Sequence, residues 1–256
     1  MKIESNANPC PHSRALKISI IIPAFNEEQL LGESLSHVKT ARAAFTTLEW
    51  KSELIVCDNN STDHTADIAR AAGATVVFEP VNQIARARNR GAQAATGDWL
   101  LFIDADSHPS AELFADVVEQ IKSGHCLAGG STVRLEAGYR FGSFVTGFWN
   151  MLSRWKRWLA GSFIFCDAGA FRKIGGFSEE LFAGEELDLS LRLQQLARES
   201  GKTVVILHRH PLITSARKFR LYSARELVRL FVRAIFNWNG TLRNREACHA
   251  WYDGRR

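Results

Sequence analysis

Residues 17–28 read KISIIIPAFNEE, and this stretch decides the fold. The run from Lys17 to Pro23 is short, rich in β-branched residues and stopped by a proline, which predicts a strand buried on both faces of a parallel sheet. Asn26 then opens a polar stretch with helical periodicity that reaches about Ala44. The fold is therefore expected to begin with a strand, a short loop and a helix.

The same unit recurs along the first half of the chain. Further strands are predicted at 53–58, 74–78 and 98–103, with helices at 61–72 and 85–95. Thr62 and Asp63 are expected in the first turn of the second helix, where short polar side chains cap free N–H groups. This alternation predicts an α/β fold with an open, mostly parallel sheet flanked by helices, which binds ligands at the carboxyl ends of its strands.

The second half has a different rhythm, with no linker before it. A helix is predicted at 111–123 and a strand at 130–135, followed by aromatic-rich sequence to Leu159. Because there is no internal repeat, we predict one domain at 17–218, with a nucleotide half and an acceptor half. Residues 1–16 are predicted to be a flexible N-terminal tail, and 219–256 a basic amphipathic helix and tail.

Composition narrows the class of protein. With 256 residues, 46% of them apolar, the chain can bury a continuous core, yet it lacks the roughly 18 consecutive apolar residues that cross a bilayer. Its five cysteines are odd in number, far apart and without a CxxC pair, which predicts neither a disulfide framework nor a zinc site and favours a reducing cytoplasm. The formal charge of +5 suits nucleotide phosphates, anionic lipid headgroups or nucleic acid.

Two carboxylates follow the last strand of the first half. Asp104-Ala105-Asp106 comes directly after the apolar run DWLLFI, and side chains two residues apart in an extended backbone point the same way. Such a pair can hold one divalent cation against a diphosphate, whose charge grows as its bond to a sugar breaks. The alternative is a capped loop start, but the position after a buried strand favours the metal.

Polar residues also follow the first two strands. Asp58 can accept an N–H from a flat base, or it can be tied up by the turn that Asn59 and Asn60 form. Glu27 lies near a helix start, where a negative charge is favourable without any ligand. All these residues are nevertheless expected at the same sheet edge as Asp104.

An acidic helix start is predicted at Glu185 and Glu186, ahead of an apolar stripe of leucines. Complementation of the helix dipole accounts for such charges without chemistry and contributes about 0.3–1 kcal/mol for an exposed group. Chemistry is favoured by the Gly175-Gly176-Phe177 turn before the helix and by the carboxylate pair upstream. Because transfer of a sugar needs a base to take the proton of an acceptor hydroxyl, one of the two glutamates is predicted to be that base.

The spaced motifs IIPAFNEE, VCDNNSTD, ARNRGAQAATGDWLLFIDADS, FRKIGGF and GEELDLSLRL together resemble glycosyltransferase family 2, over about Lys17 to Lys218. The resemblance implies the GT-A fold and a metal-dependent, inverting transfer from a nucleoside diphosphate sugar, with a uridine base, to a hydroxyl acceptor. It implies Mn²⁺ or Mg²⁺ as cofactor. By motif position, the implied donor-binding residues are Pro23, Ala24, Glu27, Asp58, Arg88 and Asp104, the metal residues Asp106 and Asp104, and the catalytic residues Glu186, as base, and Glu185.

The chain departs from the family pattern at several positions. Asn59 and Asn60 replace the usual aspartate and glycine, Gln83 stands where glycine is common, and Glu186 replaces the more usual aspartate. Two late histidines, His208 and His210, are candidates for the metal-binding histidine of many GT-A enzymes, or else surface histidines at a strand end. The stretch 213–218 resembles that of a subgroup of small bacterial enzymes in the family.

Two segments combine apolar and cationic residues. A capping box at Ser223 begins a predicted helix with an apolar stripe to Trp238 and arginines on another face. In the other segment, the aromatic and aliphatic residues Phe148, Trp149, Leu152, Trp155, Trp158 and Leu159 alternate with Arg154, Lys156 and Arg157. Core packing, an acceptor wall or contact with an anionic membrane would each explain them. A lipid-linked or membrane-proximal acceptor, at the inner face of the membrane, is therefore a hypothesis.

Rival functions lack support at particular positions. A nucleotidyltransferase would need a Gly-rich, lysine-containing loop after the first strand, which the sequence does not have. A non-catalytic nucleotide-sugar or basic surface-binding protein would have no use for the base at Glu186. Nucleic acid is not an expected partner.

Overall fold

This computed structural model describes residues 15–136, 140–215, 217, 242–244, 246 and 248. Within them, the strands are β1 (Lys17–Ala24), β2 (Lys51–Asp58), β3 (Thr75–Phe78), β4 (Trp99–Ile103), β5 (Ser107–His108), β6 (Cys126–Leu135), β7 (Phe163–Asp167) and β8 (Thr203–Thr214). The helices are α1 (Leu31–Ala41), α2 (Ala43–Thr46), α3 (Thr65–Ala71), α4 (Ile84–Ala94), α5 (Ala111–Lys122), α6 (Arg140–Lys156), α7 (Ala168–Lys173) and α8 (Glu185–Glu199). Strands and helices alternate through the first half, as predicted.

The strands form one sheet in the order β3-β2-β1-β4-β7-β6-β8-β5. Strands β3, β2, β1 and β4 are parallel, β7 is antiparallel to both β4 and β6, β8 is parallel to β6, and β5 is antiparallel to β8. This confirms the predicted α/β fold with a mostly parallel sheet. In the register of β1 and β2, Ala24 is paired with Asp58, so the loops after these strands begin side by side.

The core lies on both faces of the sheet, which explains the unbroken apolar run of β1. Ile20 and Ile22 pack in the cluster that includes residues of α1 and α5, whereas Ile21 packs in the cluster that includes residues of α4 and α8. All three isoleucines are fully buried. A strand with apolar residues on both faces needs helices on both sides, and this fixes the strand ends as the exposed edge for ligands.

Two helices begin later than the sequence predicted. The helix expected from Asn26 begins at Leu31, because Asn26 has a φ of 52°, in the left-handed region that a helix excludes. The helix expected from Ser61 begins at Thr65, and Asp63 lies before it, where its Oδ1 accepts a hydrogen bond from Thr65 N at 3.0 Å. The placement of Thr62 and Asp63 inside the first turn was therefore wrong.

Several expectations fall outside the described residues: the N-terminal tail except for its last two residues, the helix expected at 223–238 and most of 219–256. In the described part, no helix combines the length and the apolar character that crossing a membrane needs. Four described cysteines, Cys57, Cys126, Cys166 and Cys248, are buried.

Candidate functional site

The predicted base-binding residues lie where β1 and β2 end next to each other. Pro23 and Ala24 are the last two residues of β1 and are buried, and Asn59 N donates to Ala24 O at 2.8 Å. Asp58 is only 7% exposed, and its Oδ1 accepts a hydrogen bond from Ser61 N at 3.0 Å. The turn alternative for Asp58 is therefore correct for one of its carboxylate oxygens, and its contact with a base stays a prediction.

Asparagines shape the two loops that follow these strands. Asn26 Oδ1 accepts from Thr62 N at 2.8 Å and Ser61 Oγ accepts from Asn26 N at 3.0 Å, which ties the loops together. Asn60 has a φ of 67°, a backbone conformation that asparagine tolerates better than most residues other than glycine. This explains how Asn60 can replace the glycine that is usual at its position.

Side chains of α4 hold the loop that leads into α8. Gln83 is buried and its Nε2 donates to Glu179 O at 2.8 Å and Leu181 O at 2.9 Å. Asn89 binds both backbone groups of Phe177, with Oδ1 accepting from N and Nδ2 donating to O, each at 2.9 Å. Gln83 replaces a glycine of the family pattern with a side chain that fixes the approach to the acidic helix start.

A buried ion pair joins the first loop to a residue near the end of the described chain. Arg217 donates to Oε2 of Glu27 at 2.9 Å and to Oε1 at 2.8 Å, and its Nη2 lies 3.8 Å from Oδ2 of Asp106. Burial lowers the pKa of Arg217, but its hydrogen bond to Glu27 and the charges of Glu27 and Asp106 outweigh this and raise it overall. Arg217 was not among the predicted site residues, and its place in the stretch 213–218 was the only signal for it in the sequence.

Arg88 lies beneath the site and is 2% exposed. Its guanidinium donates to Oδ1 of Asp104 at 2.9 Å, to Oε1 of Glu185 at 2.7 Å and to Gly161 O at 2.8 Å, and it stacks 5.2 Å from the Phe177 ring centroid. Arg88 therefore links the end of β4 to the first turn of α8. Its predicted contact with a nucleotide stays a prediction.

Glu186 is half-buried in the first turn of α8, after Gly184, whose φ of 73° sets the helix start. Burial, and then the neighbouring charge of Glu185, raise the pKa of Glu186 to about 8, although Arg88 opposes the shift. A Cβ placed on Gly161 would lie 3.1 Å from Arg88 Nη2, which is tight, and 3.6 Å from the Glu186 carboxyl carbon, an ordinary contact, so the glycine makes room chiefly for the guanidinium. A carboxylate with a pKa near neutrality is suited to taking up a proton in catalysis.

The predicted metal residues, Asp104 and Asp106, lie between the Arg88–Glu185 pair and the Arg217–Glu27 pair. Asp104 contacts Arg88, Asp106 is 7% exposed beside Arg217, and Asp104 N donates to Ser162 O at 3.2 Å. In the described part of the chain, no third Asp, Glu, His or Cys forms a metal-binding cluster with the pair.

The two late histidines have other surroundings. His210 Nδ1 lies 3.0 Å from Oδ2 of Asp116, and His208 is exposed. Neither the contact of His210 with Asp116 nor the exposed position of His208 supports a role for these histidines as metal ligands.

The aromatic-basic segment forms α6 and the loop after it, and its two faces differ. Leu159 is fully buried and Trp149, Leu152 and Trp158 are half-buried. The opposite face carries Phe144, Phe148, Met151 and Trp155, which are 76%, 55%, 61% and 74% exposed. Their spacing of four, three and four residues places them on one side of the helix, so core packing explains only part of the segment.

A mostly parallel α/β sheet flanked by helices is the architecture of the GT-A glycosyltransferases. The model described as Glycosyl transferase family 2 matches residues 19–176, more than half of the chain. The chain belongs to glycosyltransferase family 2, which confirms the resemblance.

Curated relatives match a little under half of the chain. The chain is 35% identical over 109 residues to an uncharacterized glycosyltransferase of Rickettsia typhi, covering 43% of this chain and 34% of the relative. It is 31% identical over 124 residues to the dolichol-phosphate mannosyltransferase of Pyrococcus furiosus, covering 45% and 33%. With the undecaprenyl-phosphate 4-deoxy-4-formamido-L-arabinose transferase of Pseudomonas fluorescens the identity is 34% over 125 residues, covering 46% and 35%. The chain thus spans about a third of the length of these relatives.

Solved structures match nearly the whole chain. A mannosyltransferase of Pyrobaculum calidifontis in complex with GDP-Man and Mn²⁺ has a TM-score of 0.65 at 21% identity, covering 93% of this chain and 69% of that one. The glucosyl-3-phosphoglycerate synthase of Mycobacterium tuberculosis, in complex with Mn²⁺, UDP-Glc and phosphoglyceric acid, has a TM-score of 0.59 at 20% identity, covering 91% and 80%. At this identity the likeness shows the fold.

Proposed function

We propose that this glycosyltransferase moves a sugar from a nucleoside diphosphate donor, with a uridine base, to the hydroxyl group of a lipid-linked or membrane-proximal acceptor, with inversion at the anomeric carbon. The observation that carries the proposal is Glu186, a half-buried carboxyl group with a pKa of about 8 beside the paired carboxylates that follow β4. The uridine base is implied by family resemblance, and the relatives' structures include both uridine and guanosine donors.

The donor would lie along the edge where β1, β2 and β4 end. Asp58 is placed to accept an N–H of the base with the oxygen that Ser61 leaves, and Pro23 and Ala24 form the floor beside it. The Arg217 guanidinium, between Glu27 and Asp106, supplies positive charge where the phosphates are expected. Donor binding in this position would bring the anomeric carbon toward α8.

Asp104 and Asp106 would hold the divalent cation. Their carboxylate oxygens are the hard ligands that Mg²⁺ and Mn²⁺ take, and a cation there would share the Asp106 carboxylate with Arg217, whose Nη2 lies 3.8 Å from Oδ2. Two protein carboxylates suit a cation that completes its shell with phosphate oxygens and water. When bound, such a cation neutralises the charge that grows on the leaving diphosphate.

Glu186 would act as the base in a single displacement. Its carboxylate takes the proton of the acceptor hydroxyl, the acceptor oxygen forms a bond to the anomeric carbon, and the bond from that carbon to the phosphate oxygen breaks with its electrons leaving on the diphosphate. Attack opposite the leaving group inverts the configuration. Arg88 holds Glu185 and Asp104 in place below, so that Glu186 is the member of the pair left for the acceptor.

The proposal of a membrane-proximal acceptor is supported by the exposed face of α6, which carries Phe144, Phe148, Met151 and Trp155. These four exposed apolar residues are accompanied by exposed Arg154, Lys156 and Arg157 at the end of the segment, a combination that suits the headgroup region of an anionic membrane. Two curated relatives act on lipid phosphates by name, which agrees with an acceptor presented at a membrane.

The proposal is tested by screening nucleoside diphosphate sugars for turnover with Mn²⁺ and with chelator, using polyprenyl phosphates and simple sugars as acceptors. We expect turnover with a uridine donor that chelator abolishes, and a product whose anomeric configuration, read by NMR, is opposite to that of the donor. Retention of configuration would remove the single-displacement assignment, and equal turnover with chelator would remove the metal.

A further inference from the structure

A cluster of two histidines and one glutamate lies between α1 and β5. Single ligand atoms of Glu33, His37 and His108 lie within 4.8 Å of one another, and the His37 and His108 rings stack with centroids 4.6 Å apart. Glu33 and His37 are one helical turn apart on α1, so they face the same side. The cluster is formed by elements that meet through the fold rather than by one loop.

A second, independent feature of the cluster is the buried ring nitrogen Nε2 of His108. It is 8% exposed, and its Nε2 is buried with no hydrogen-bond partner among the described residues. Its Nδ1 lies 3.3 Å from Oε1 of Glu136, which favours the proton on Nδ1 and leaves the lone pair on Nε2. Leaving a buried polar atom without a partner is unfavourable, so this nitrogen needs an explanation.

We propose that Glu33, His37 and His108 bind Zn²⁺, with Glu136 as the carboxylate that orients the His108 ring. Two imidazole nitrogens and one carboxylate oxygen form a ligand set that zinc takes, and a carboxylate on the far nitrogen is the usual partner of a zinc-bound histidine. Ligands about 2.1 Å from a tetrahedral ion lie roughly 3.4 Å apart, so the cluster must tighten. The His37 and His108 rings are stacked within 14° of parallel, so the His37 ring must also rotate before both nitrogen lone pairs can point at one ion. The side chains of Glu33 and His37 are exposed and can move to close the cluster.

The cation would connect two parts of the proposed catalytic edge. α1 follows the loop that carries Glu27, and His108 is two residues after Asp106. Zinc bound between them would stabilise this junction from the side of α1 and would take no part in proton or sugar transfer. The site is separate from the pair Asp104 and Asp106, whose oxygen ligands suit harder cations.

The test is calorimetric titration of ZnCl₂ into the tag-free full chain, with Mg²⁺ in large excess to occupy oxygen-only sites. We expect one zinc ion per chain, weakened about 10–100-fold by Glu136→Gln and at least as much by His37→Ala. His64→Ala is the matched control, because His64 is an exposed histidine near Asp67 on α3 and should leave zinc affinity unchanged.

Thermal unfolding gives a second readout. Zinc should raise the Tm of the natural chain and of His64→Ala, but not that of His37→Ala, whose exposed position allows it to fold where a change at buried His108 would not be interpretable. Absence of zinc binding by the natural chain, or equal affinity in His37→Ala, would overturn the proposal.

Discussion

The Nη1 atom of Arg88 lies 2.7 Å from Oε1 of Glu185, and both side chains are less than 5% exposed. The same guanidinium binds Asp104, so one buried cation balances two carboxylates that come from different halves of the chain. The charge of Arg88 also opposes the rise in the pKa of Glu186. Stability and the proton affinity of the proposed base therefore depend on the same side chain.

Replacing Arg88 with methionine should destabilise the protein strongly. The change leaves Asp104 and Glu185 without their countercharge, and breaking a buried ion pair costs about 3–5 kcal/mol. The free energy of unfolding is measured by urea denaturation, with Arg90→Met as control because Arg90 is exposed on the same helix. A loss below about 1 kcal/mol would show that solvent screens this cluster.

Glu186→Gln should lower turnover by about 10²–10⁴ with donor affinity nearly unchanged, because it removes the base and leaves the strand-end residues in place. Turnover is measured by release of the nucleoside diphosphate, and donor affinity by calorimetry. The comparison variant is Glu185→Gln, which loosens the contact with Arg88 and should reduce stability more than turnover. The reverse pattern would make Glu185 the base.

The dependence of kcat/KM on pH should report the ionisation of Glu186. A base must be ionised, so kcat/KM should rise with pH, up to tenfold per pH unit, and level off above about 8. Initial rates at limiting donor measure this limb, which should be lost in Glu186→Gln. A profile that is flat between pH 6 and 9 for the natural chain would contradict the assignment.

The contribution of Glu186 to the stability of the fold should fall as pH rises, whereas kcat/KM should rise. The folded-state pKa of Glu186 is raised from 4.5 to about 8, so between these values the folded state keeps a proton that the unfolded state releases. Glu186 therefore destabilises the fold progressively as pH rises from about 4.5 to about 8. Glu186→Gln should have a higher Tm than the natural chain at pH 8, and the difference should vanish near pH 4.

Asp106→Asn should abolish metal-dependent donor binding, because the amide replaces a charged ligand of the proposed cation. Calorimetry with a uridine diphosphate sugar, with Mn²⁺ and with chelator, measures the effect. Asp67→Asn, at an exposed position on α3, is the matched control and should bind as the natural chain does. Unchanged affinity in Asp106→Asn would remove the metal assignment.

Contact with an anionic membrane should depend on the cations at the end of α6. Each Lys or Arg near an anionic surface contributes about 1 kcal/mol, so changing Arg154, Lys156 and Arg157 together to glutamate should greatly reduce co-sedimentation with phosphatidylserine vesicles at physiological salt. Changing exposed Lys39, Lys51 and Lys122 to glutamate alters the net charge equally and is the control. Equal loss in both variants would indicate general charge attraction, and no sedimentation of the natural chain would leave the apolar face of α6 for an acceptor or another protein.

Sequence pattern predicted the strands and helices of the first half because each is a short periodic segment with its own signal. It did not predict β7, whose pairing with β4 depends on residues about sixty positions away. The ion pair between Glu27 and Arg217 could not be predicted either, because 190 positions separate the two residues and the sequence around one does not indicate the other. The strand-end carboxylates and the acidic helix start could be located from sequence because parallel strands expose one edge. The sequence could not predict which of these carboxylates share a countercharge, because that depends on how the chain packs.

Asn150 has a consequence for how this enzyme class can diversify. Its Oδ1 accepts from Val133 N at 2.9 Å and its Nδ2 donates to Val133 O at 2.8 Å, so one side chain attaches α6 to β6 as a neighbouring strand would. This attachment does not use the exposed side chains of Phe144, Phe148, Met151 and Trp155. Substitutions at these positions can therefore change the preference for an acceptor or a membrane while the donor edge stays as it is.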